Sequence, residues 1–167
     1  MSEADTTNPV ELASDIGGEN PESSNTNIID DEQHGFTKAL LIGINYLGTR
    51  DRLENAIDSV RIAKKSLNSN FNMNDDNIHI MTDVTGKKPS KFNILDELNW
   101  LVNNAKKDDV LLFHFAGHGN QLLNSDNEQH SKVEALCPLD YNESGCIMDE
   151  ELIEVLIKPL PQGCKLV

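Results

Sequence analysis

The chain has 167 residues, enough for one domain with its own hydrophobic core. Its formal net charge of −14, from 28 acidic and 14 basic side chains, disfavours nucleic acid as a partner. No apolar run approaches the roughly 20 residues of a membrane span, and three cysteines without a Cys-x-x-Cys pair argue against a disulfide framework or a zinc ribbon.

The first 36 residues predict a disordered acidic tail. They contain nine Asp or Glu side chains, no Lys or Arg and few apolar residues, so they cannot bury enough surface to offset the entropy lost on ordering. The tail is either a solvated leader or a prosegment or docking arm. Residues Met1–Asp5 have neither the basic flank nor the apolar core of a secretory signal. Together with the cysteine usage, this favours a cytoplasmic location.

From Thr37 onward, short apolar runs alternate with helical patterns. Ala39–Ile44 is an apolar run typical of a strand in a parallel sheet. Asp51 can cap a following helix, whose apolar positions recur with helical spacing. These positions are Leu53, Ala56, Ile57, Val60, Ala63 and Leu67. Asn77–Thr82 predicts a second strand.

The same alternation continues through the middle of the chain. Ser90 can cap a second helix, and Val110–Phe115 predicts a third strand. The apolar positions of that helix are Ile94, Leu98, Leu101, Val102 and Ala105. A long polar loop is expected from Asn120 to about Lys132, followed by a short extended segment over Glu134–Cys137.

A third helix is predicted to begin at Asp149 and to end before Pro159 and Pro161. Its apolar side would carry Leu152, Ile153, Leu156 and Ile157. Cys164–Val167 begins another apolar run. Strands that alternate with helices predict an α/β fold with a mostly parallel sheet, here of three strands and the beginning of a fourth.

The strongest functional signal is the turn Gly117-His118-Gly119 that follows the third strand. Ligand sites of parallel sheets lie at the carboxyl ends of the strands, where this turn is expected. The imidazole of His118 can act as a general base near neutral pH. Gly119 lets the backbone approach a substrate closely, and its N–H can donate to a developing oxyanion. The alternative is a strand-end histidine that merely bonds to a loop.

Five segments together resemble the metacaspases, caspase-like cysteine proteases of fungi, plants and protists. They read KALLIGINY at 38–46, NILDELNWLV at 93–102, DDVLLFHFAGHG at 108–119, ALCPLDY at 135–141 and IMDEEL at 147–152. The resemblance implies a three-layer caspase-like fold over residues 37–167, with helices on both faces of the sheet and an incomplete C-terminal part. It further implies a Cys–His endopeptidase that cuts after Arg or Lys, needs no cofactor for its chemistry and is often activated by calcium.

Within this resemblance, His118 matches the catalytic histidine and Gly119 the oxyanion donor. The family nucleophile lies in an Asp-x-Cys-His motif at the end of the next core strand, and these 167 residues do not contain that motif. We expect Cys137, Cys146 and Cys164 to be structural. Cys164 directly precedes the last strand, so it belongs at the opposite end of that strand from His118. A strand of about six residues spans about 20 Å, which is too far for this thiol to meet the imidazole.

The resemblance also implies a substrate pocket whose acids pair with a basic side chain. At the position of one such acid this chain has Ser59, and the adjacent Asp58 is rotated by about 100° around the helix. Two further departures are Ala116, where a serine is usual, and the pair Val133-Glu134, where Asp-Glu is usual. These departures argue against a preference for basic substrate residues in this chain.

Calcium is the one metal that the resemblance implies. Asp149 and Glu150 match an acidic pair that binds calcium in some metacaspases, and Asp126 and Glu128 lie in the loop that would fold over it. The alternative is that the acids after Met148 stabilise the first turn of a helix. Zinc is disfavoured, since His114 and His118 are four residues apart but not on a helix, so their rings do not share a face.

Three hypotheses follow. The chain is the N-terminal portion of a metacaspase-type endopeptidase, and the nucleophile of the longer product completes the site for a polypeptide substrate. Alternatively, it is a non-catalytic pseudoprotease that binds and regulates an active metacaspase through an open sheet edge. A small-molecule or nucleotide-binding module is the third reading, although Gly43–Gly48 is not a dinucleotide-binding fingerprint.

Overall fold

The computed structural model describes residues 35–123 and 132–167. The acidic tail predicted for residues 1–36 lies outside them except for its last two residues. The strands are β1 Lys38–Gly43, β2 Ile78–Thr82, β3 Val110–Ala116, β4 Gly119–Leu123, β5 Lys132–Leu136, β6 Ile147–Met148 and β7 Lys165–Leu166. The α-helices are α1 Ala56–Asn70, α2 Lys91–Val102, α3 Tyr141–Ser144 and α4 Asp149–Leu152, which continues as a π-helical turn over Ile153–Ile157.

The main sheet has four parallel strands in the order β2-β1-β3-β7. Strand β3 pairs with β1 from Leu111 to Ala116, but it pairs with β7 only at Val110 and Leu111, beside Lys165 and Leu166. Val167 extends this contact with two bonds, since its carbonyl accepts from the Phe113 N–H at 2.8 Å and its N–H donates to the Leu111 carbonyl at 2.9 Å. The predicted α/β fold and the partial fourth strand are thus confirmed.

Helices cover both faces of this sheet, as predicted. Alternate side chains of β1 point to opposite faces. Leu40 and Ile42 pack in one core with α2, and Ala39 and Leu41 pack in a second core with α1. Because both faces are covered, the whole apolar run of β1 is buried. The predicted cap of α2 is confirmed, since the Ser90 side chain accepts a hydrogen bond from the Asn93 N–H.

Helix α1 approaches β1 so closely that only glycine fits at the end of the strand. A Cβ atom on Gly43 would lie 2.5 Å from the carbonyl oxygen of Ala56 and 2.7 Å from Cγ2 of Val60. We expect Gly43→Ala to lower the free energy of unfolding by about 1–3 kcal/mol, because the helix must move outward. Gly86→Ala is the matched control, since a Cβ there meets nothing within 4 Å. Urea unfolding of both variants tests this, and equal midpoints would contradict it.

Three predicted elements differ from the structure. Helix α1 begins at Ala56 after Asn55, so Asp51 is not its cap. The predicted polar loop contains β4, which pairs with β5 and β6 in a small antiparallel sheet. An edge strand needs no apolar alternation, so β4 gives no sequence signal.

The third helix also differs from its prediction. It is a single α-helical turn that continues as a π-helical turn. The changed helical spacing buries Leu156 but exposes Ile153 and Ile157, which were predicted to share its apolar side. None of the helices in the described part of the chain is long and apolar enough to span a bilayer.

Candidate active site

The candidate site lies where β3 ends and β4 begins. Gly117 and His118 make the turn between these strands, beside the loop that follows β1. A Cβ on Gly117 would lie 2.9 Å from the Phe115 ring and 3.0 Å from the hydroxyl of Tyr46. Glycine is therefore needed here for close packing, and it delivers His118 to the carboxyl edge of the sheet.

The His118 ring is held by a backbone carbonyl. Its Nε2 atom lies 2.6 Å from the carbonyl oxygen of Asp51. Because a carbonyl only accepts hydrogen bonds, Nε2 carries the proton in the neutral ring, and Nδ1 keeps its lone pair. Such a ring can take a proton at Nδ1 while Asp51 fixes its orientation and stabilises the resulting imidazolium. The sequence assigned Asp51 to a helix cap and so missed this role.

Tyr46 bridges His118, which precedes β4, and Cys137, which follows β5. Its hydroxyl donates to the carbonyl of Cys137 at 2.6 Å and accepts from the backbone N–H of His118 at 2.9 Å. The Cys137 N–H also donates to the His118 carbonyl at 3.0 Å. The Tyr46 and His118 rings lie 4.7 Å apart between centroids. Tyr46 is fully buried. Its hydroxyl stands between the His118 N–H and the Cys137 carbonyl, which would otherwise form the second direct hydrogen bond of this residue pair.

A buried aspartate fixes the loop that carries Tyr46. Asp83 accepts hydrogen bonds from the N–H groups of Asn45 at 2.7 Å and Leu47 at 2.9 Å. The later part of the loop is fixed by Asp51, whose carboxylate accepts from the Tyr141 hydroxyl at 2.5 Å. Sequence analysis did not identify Asp83 or Tyr46. The only available signal was an isolated acid directly after an apolar strand.

The N–H of Gly119 points away from the small sheet. In an antiparallel pair, hydrogen-bonded and non-hydrogen-bonded positions alternate. His118 and Cys137 exchange a hydrogen bond, so the next pair, Gly119 and Leu136, is non-hydrogen-bonded. The Gly119 N–H therefore faces the outer side of β4. A cavity of about 190 Å³ opens here, lined by Asp51, His118, Gly119, Asn120, Cys137 and Tyr141.

Among the three cysteines, only Cys137 lines this cavity. Its thiol is buried and faces Cys146, with 3.5 Å between the Sγ atoms. Burial raises the pKa of Cys137 to about 12, so the thiol stays protonated at neutral pH and is a poor nucleophile. Cys164 precedes β7 at the opposite end of the sheet, where its N–H donates to Pro161. The structural roles expected for the three cysteines stay predictions.

The two candidate pocket residues on α1 have other partners. Asp58 is exposed and forms an ion pair with Arg61 at 2.7 Å. The Ser59 hydroxyl donates to the Ala56 carbonyl and lies 3.3 Å from Nε2 of His114. His114 and His118 thus have separate hydrogen-bond partners. No group of three or more potential metal ligands occurs in residues 35–123 and 132–167.

His114 predicts a pH dependence of stability. Burial lowers the pKa of its imidazole in the folded chain. The unfolded chain therefore binds more protons than the folded chain between the lowered value and the ordinary pKa of about 6.5. We expect the free energy of unfolding to fall as the pH is lowered through this window. Denaturant unfolding should show a shallower fall in His114→Gln, whereas equal slopes would contradict the assignment.

The predicted calcium ligands are only partly described. Asp126 and Glu128 lie outside the described residues. Asp149 and Glu150 are exposed in the first turn of α4, and Asp149 accepts a hydrogen bond from the Glu150 N–H. Asp149 also lines a cavity of about 150 Å³ together with Gly119. The described residues alone do not make a complete calcium site, and calcium binding stays a prediction.

A larger cavity lies away from this site. It has a volume of about 640 Å³ and is lined mainly by α2, with His79 of β2 at its edge. His79 is stacked on Trp100 at 3.4 Å and bonded to Glu97 at 2.5 Å. We place the candidate chemistry in the smaller cavity because that cavity holds the oriented imidazole and the outward Gly119 N–H.

Comparison with known proteins identifies the family. A model described as the metacaspase peptidase C14 domain matches residues 37–167. Metacaspase-1 of Schizosaccharomyces pombe is 39% identical over 136 residues, covering 79% of this chain and 32% of the relative. Metacaspase-1 of Candida albicans is 40% identical over 141 residues, covering 79% and 31%. The chain thus spans about a third of the length of these curated relatives.

A solved structure supports the fold independently. A crystal structure of a Geobacter sulfurreducens protein matches with a TM-score of 0.54 at 21% identity, over 77% of this chain and 47% of that one. At this identity the likeness concerns the fold alone. The family model covers all of the chain from residue 37, and it agrees with the segments that carried the resemblance. The chain belongs to the metacaspase family of caspase-like C14 peptidases.

Proposed function

We propose that this chain supplies the histidine half of a metacaspase-type cysteine endopeptidase. The observation that carries the proposal is the 2.6 Å bond from Nε2 of His118 to the Asp51 carbonyl, which leaves Nδ1 as the base. The outward Gly119 N–H beside it supplies an oxyanion donor. The nucleophile is a cysteine other than Cys137, Cys146 and Cys164. A segment that continues β7 along the open half of β3 would carry it to the edge where His118 lies.

The proposed reaction uses these groups in sequence. Nδ1 of His118 takes the thiol proton, and the thiolate attacks the peptide carbonyl. The carbonyl oxygen becomes an oxyanion that accepts a hydrogen bond from the Gly119 N–H. His118 then returns the proton to the leaving amine as the C–N bond breaks, which gives an acyl-enzyme. Water, deprotonated by His118, attacks this thioester and releases the acid product and the thiol.

A chimera tests this proposal. It consists of this chain continued after Val167 by the corresponding C-terminal segment of an active metacaspase. In assays run with and without calcium, we expect the chimera to hydrolyse fluorogenic peptides in at least one of the two conditions, while the 167-residue chain does so in neither. A folded chimera without turnover would contradict the proposal. Turnover by the 167-residue chain that depended on His118 and one of its own cysteines would contradict the choice of nucleophile.

The Ser59 position predicts a change in specificity. A serine cannot form the charge-assisted pair that a carboxylate makes with a basic substrate side chain. We expect Ser59→Asp in the chimera to raise kcat/KM for arginyl over alanyl peptides by about tenfold or more, a charged hydrogen bond being worth about 1.5–3 kcal/mol. Asp58→Asn is the control and should leave the ratio unchanged, because Asp58 is paired with Arg61. An unchanged ratio of kcat/KM for arginyl over alanyl peptides in Ser59→Asp would contradict the assignment of Ser59 to the substrate pocket.

The second candidate function is a non-catalytic regulator. It is favoured by Ser59, which replaces a pocket acid, and by the half of β3 that β7 does not cover. Such an edge can pair with a strand of another caspase-like chain. Mixing the 167-residue chain with an active metacaspase tests this role by size-exclusion chromatography and peptide hydrolysis. Absence of a complex, together with an unchanged rate of peptide hydrolysis by the active metacaspase, would contradict the regulatory role.

A further inference from the structure

Cys137 and Cys146 lie opposite each other where the neighbouring strands β5 and β6 meet, directly after β5 and directly before β6. The register pairs Ala135 with Met148 and Leu136 with Ile147, so the next position along each strand brings the two cysteines opposite each other. Their Sγ atoms are 3.5 Å apart, a contact between two thiols. No third metal-ligating side chain joins them among the described residues, so the pair has the composition of a dithiol rather than of a metal site.

We propose that Cys137 and Cys146 form a reversible disulfide whose oxidant is a small-molecule disulfide. The separation favours this reaction, because the Sγ atoms need to approach by only about 1.5 Å to reach the S–S bond length of about 2.05 Å. Opposed positions of neighbouring antiparallel strands have Cβ atoms about 4.5–5.5 Å apart. A disulfide needs about 3.5–4.5 Å, so a small shift of one strand end is sufficient.

The two thiols have different accessibility, which sets the order of the steps. Cys146 is partly exposed, so its thiolate attacks one sulfur of the oxidant, forms a mixed disulfide and releases one thiolate. Cys137 is buried and its pKa is raised, so it reacts second. Its thiol loses a proton to solvent and attacks Sγ of Cys146, which releases the second thiolate. Two protein thiols are thereby oxidised, and one small disulfide is reduced to two thiols.

The disulfide would act on the backbone that holds His118. The Cys137 N–H is bonded to the His118 carbonyl, and the Cys137 carbonyl is bonded to Tyr46, which also holds the His118 N–H. Cys146 is anchored differently, since its carbonyl accepts from Lys91 at 2.8 Å. Closing the bond therefore displaces Cys137, Cys146 or both, and a displacement of Cys137 passes to His118. An effect of the disulfide on catalysis rests on the proposed function of His118 as a base, whereas formation of the disulfide and displacement of His118 do not.

The first test is formation of the bond in the 167-residue chain. After incubation with oxidised glutathione, we expect a mass lower by two hydrogens and a peptide that links Cys137 to Cys146, both reversed by dithiothreitol. Cys164→Ser is the matched control and should behave like the wild type. In Cys146→Ser the linked peptide should be absent. If both cysteines are alkylated when the oxidised wild-type chain is unfolded in the presence of an alkylating reagent, or if Cys164 takes part in the bond instead, the proposal is wrong.

The second test measures the coupling to His118 without any turnover. We expect oxidation to shift the imidazole proton resonance of His118, assigned by its loss in His118→Ala, in the wild type and in Cys164→Ser. The resonance should stay in place when Cys146→Ser or Cys146→Ala is treated in the same way. A disulfide that forms without this shift would overturn the coupling. An inactive chimera would contradict the proposed function and leave both of these measurements unaffected.

Discussion

Replacing His118 by alanine is expected to lower kcat/KM of the chimera by about 10³-fold or more, because the base and the leaving-group acid are lost together. The loss should appear in kcat, since the imidazole acts in the transition state and contributes little to substrate binding. Progress curves with a fluorogenic arginyl peptide measure this effect. The cavity around His118 remains open in the variant, so access of the substrate does not explain the loss.

A matched substitution separates this effect from a general effect on folding. His114→Gln removes the imidazole of β3, four residues before His118, which lies against Ser59 and not in the candidate cavity. We expect it to retain kcat/KM within about threefold, since it leaves His118 and Gly119 in place and the Gln amide can keep the hydrogen bond to Ser59. Comparable losses in both variants would contradict the assignment of His118 as the base. So would a folded His118→Ala variant that keeps its rate.

Tyr46→Phe is expected to lower the free energy of unfolding by about 2–4 kcal/mol, the largest loss of stability among the substitutions proposed. The change removes one hydroxyl and leaves two backbone groups without their partner, the buried Cys137 carbonyl and the half-buried His118 N–H. Each unsatisfied buried group costs about 1–3 kcal/mol. The ring itself is kept, so no cavity contributes. Thermal or urea unfolding of the 167-residue chain measures the effect.

Tyr141→Phe is the control for the same chemical change. Its hydroxyl bonds to the Asp51 carboxylate, and this hydrogen bond is exposed to solvent, so we expect a loss below about 1 kcal/mol. In the chimera, Tyr46→Phe should also lower kcat, because the backbone of His118 loses a hydrogen bond that fixes it. A Tyr46→Phe variant as stable as Tyr141→Phe would contradict the bridging role of the hydroxyl.

The fold was predictable where burial is continuous along the chain. β1 and β3 are apolar runs because central parallel strands are covered on both faces, and Ser90 caps α2 through a bond to Asn93, three residues away. The same reasoning failed at β4, whose Asn120 and Gln121 are exposed on an edge strand. It also failed at α1, whose first residue follows Asn55 in a left-handed conformation with φ of 70° and without a side-chain cap.

The site was predictable only in its local part. His118 and Gly119 follow an apolar strand, and that pattern is visible in the sequence. Their partners are distant: Asp51 lies 67 residues from His118, and Tyr46 lies 91 residues from Cys137. Such contacts depend on how the loop after β1 folds over β3, and the spacing of residues along the chain does not predict that conformation. The opposition of Cys137 and Cys146 likewise required the register of β5 and β6.

The most direct test of the central claim is kcat/KM of the chimera after Cys137, Cys146 and Cys164 have all been replaced by alanine, with His118 present or changed by His118→Ala. We predict that removing the three cysteines leaves the hydrolysis of an arginyl peptide within about threefold of the unmodified chimera. The further change His118→Ala should then abolish it. Loss of hydrolysis in a folded chimera that lacks only the three cysteines would contradict the claim that His118 serves a cysteine elsewhere.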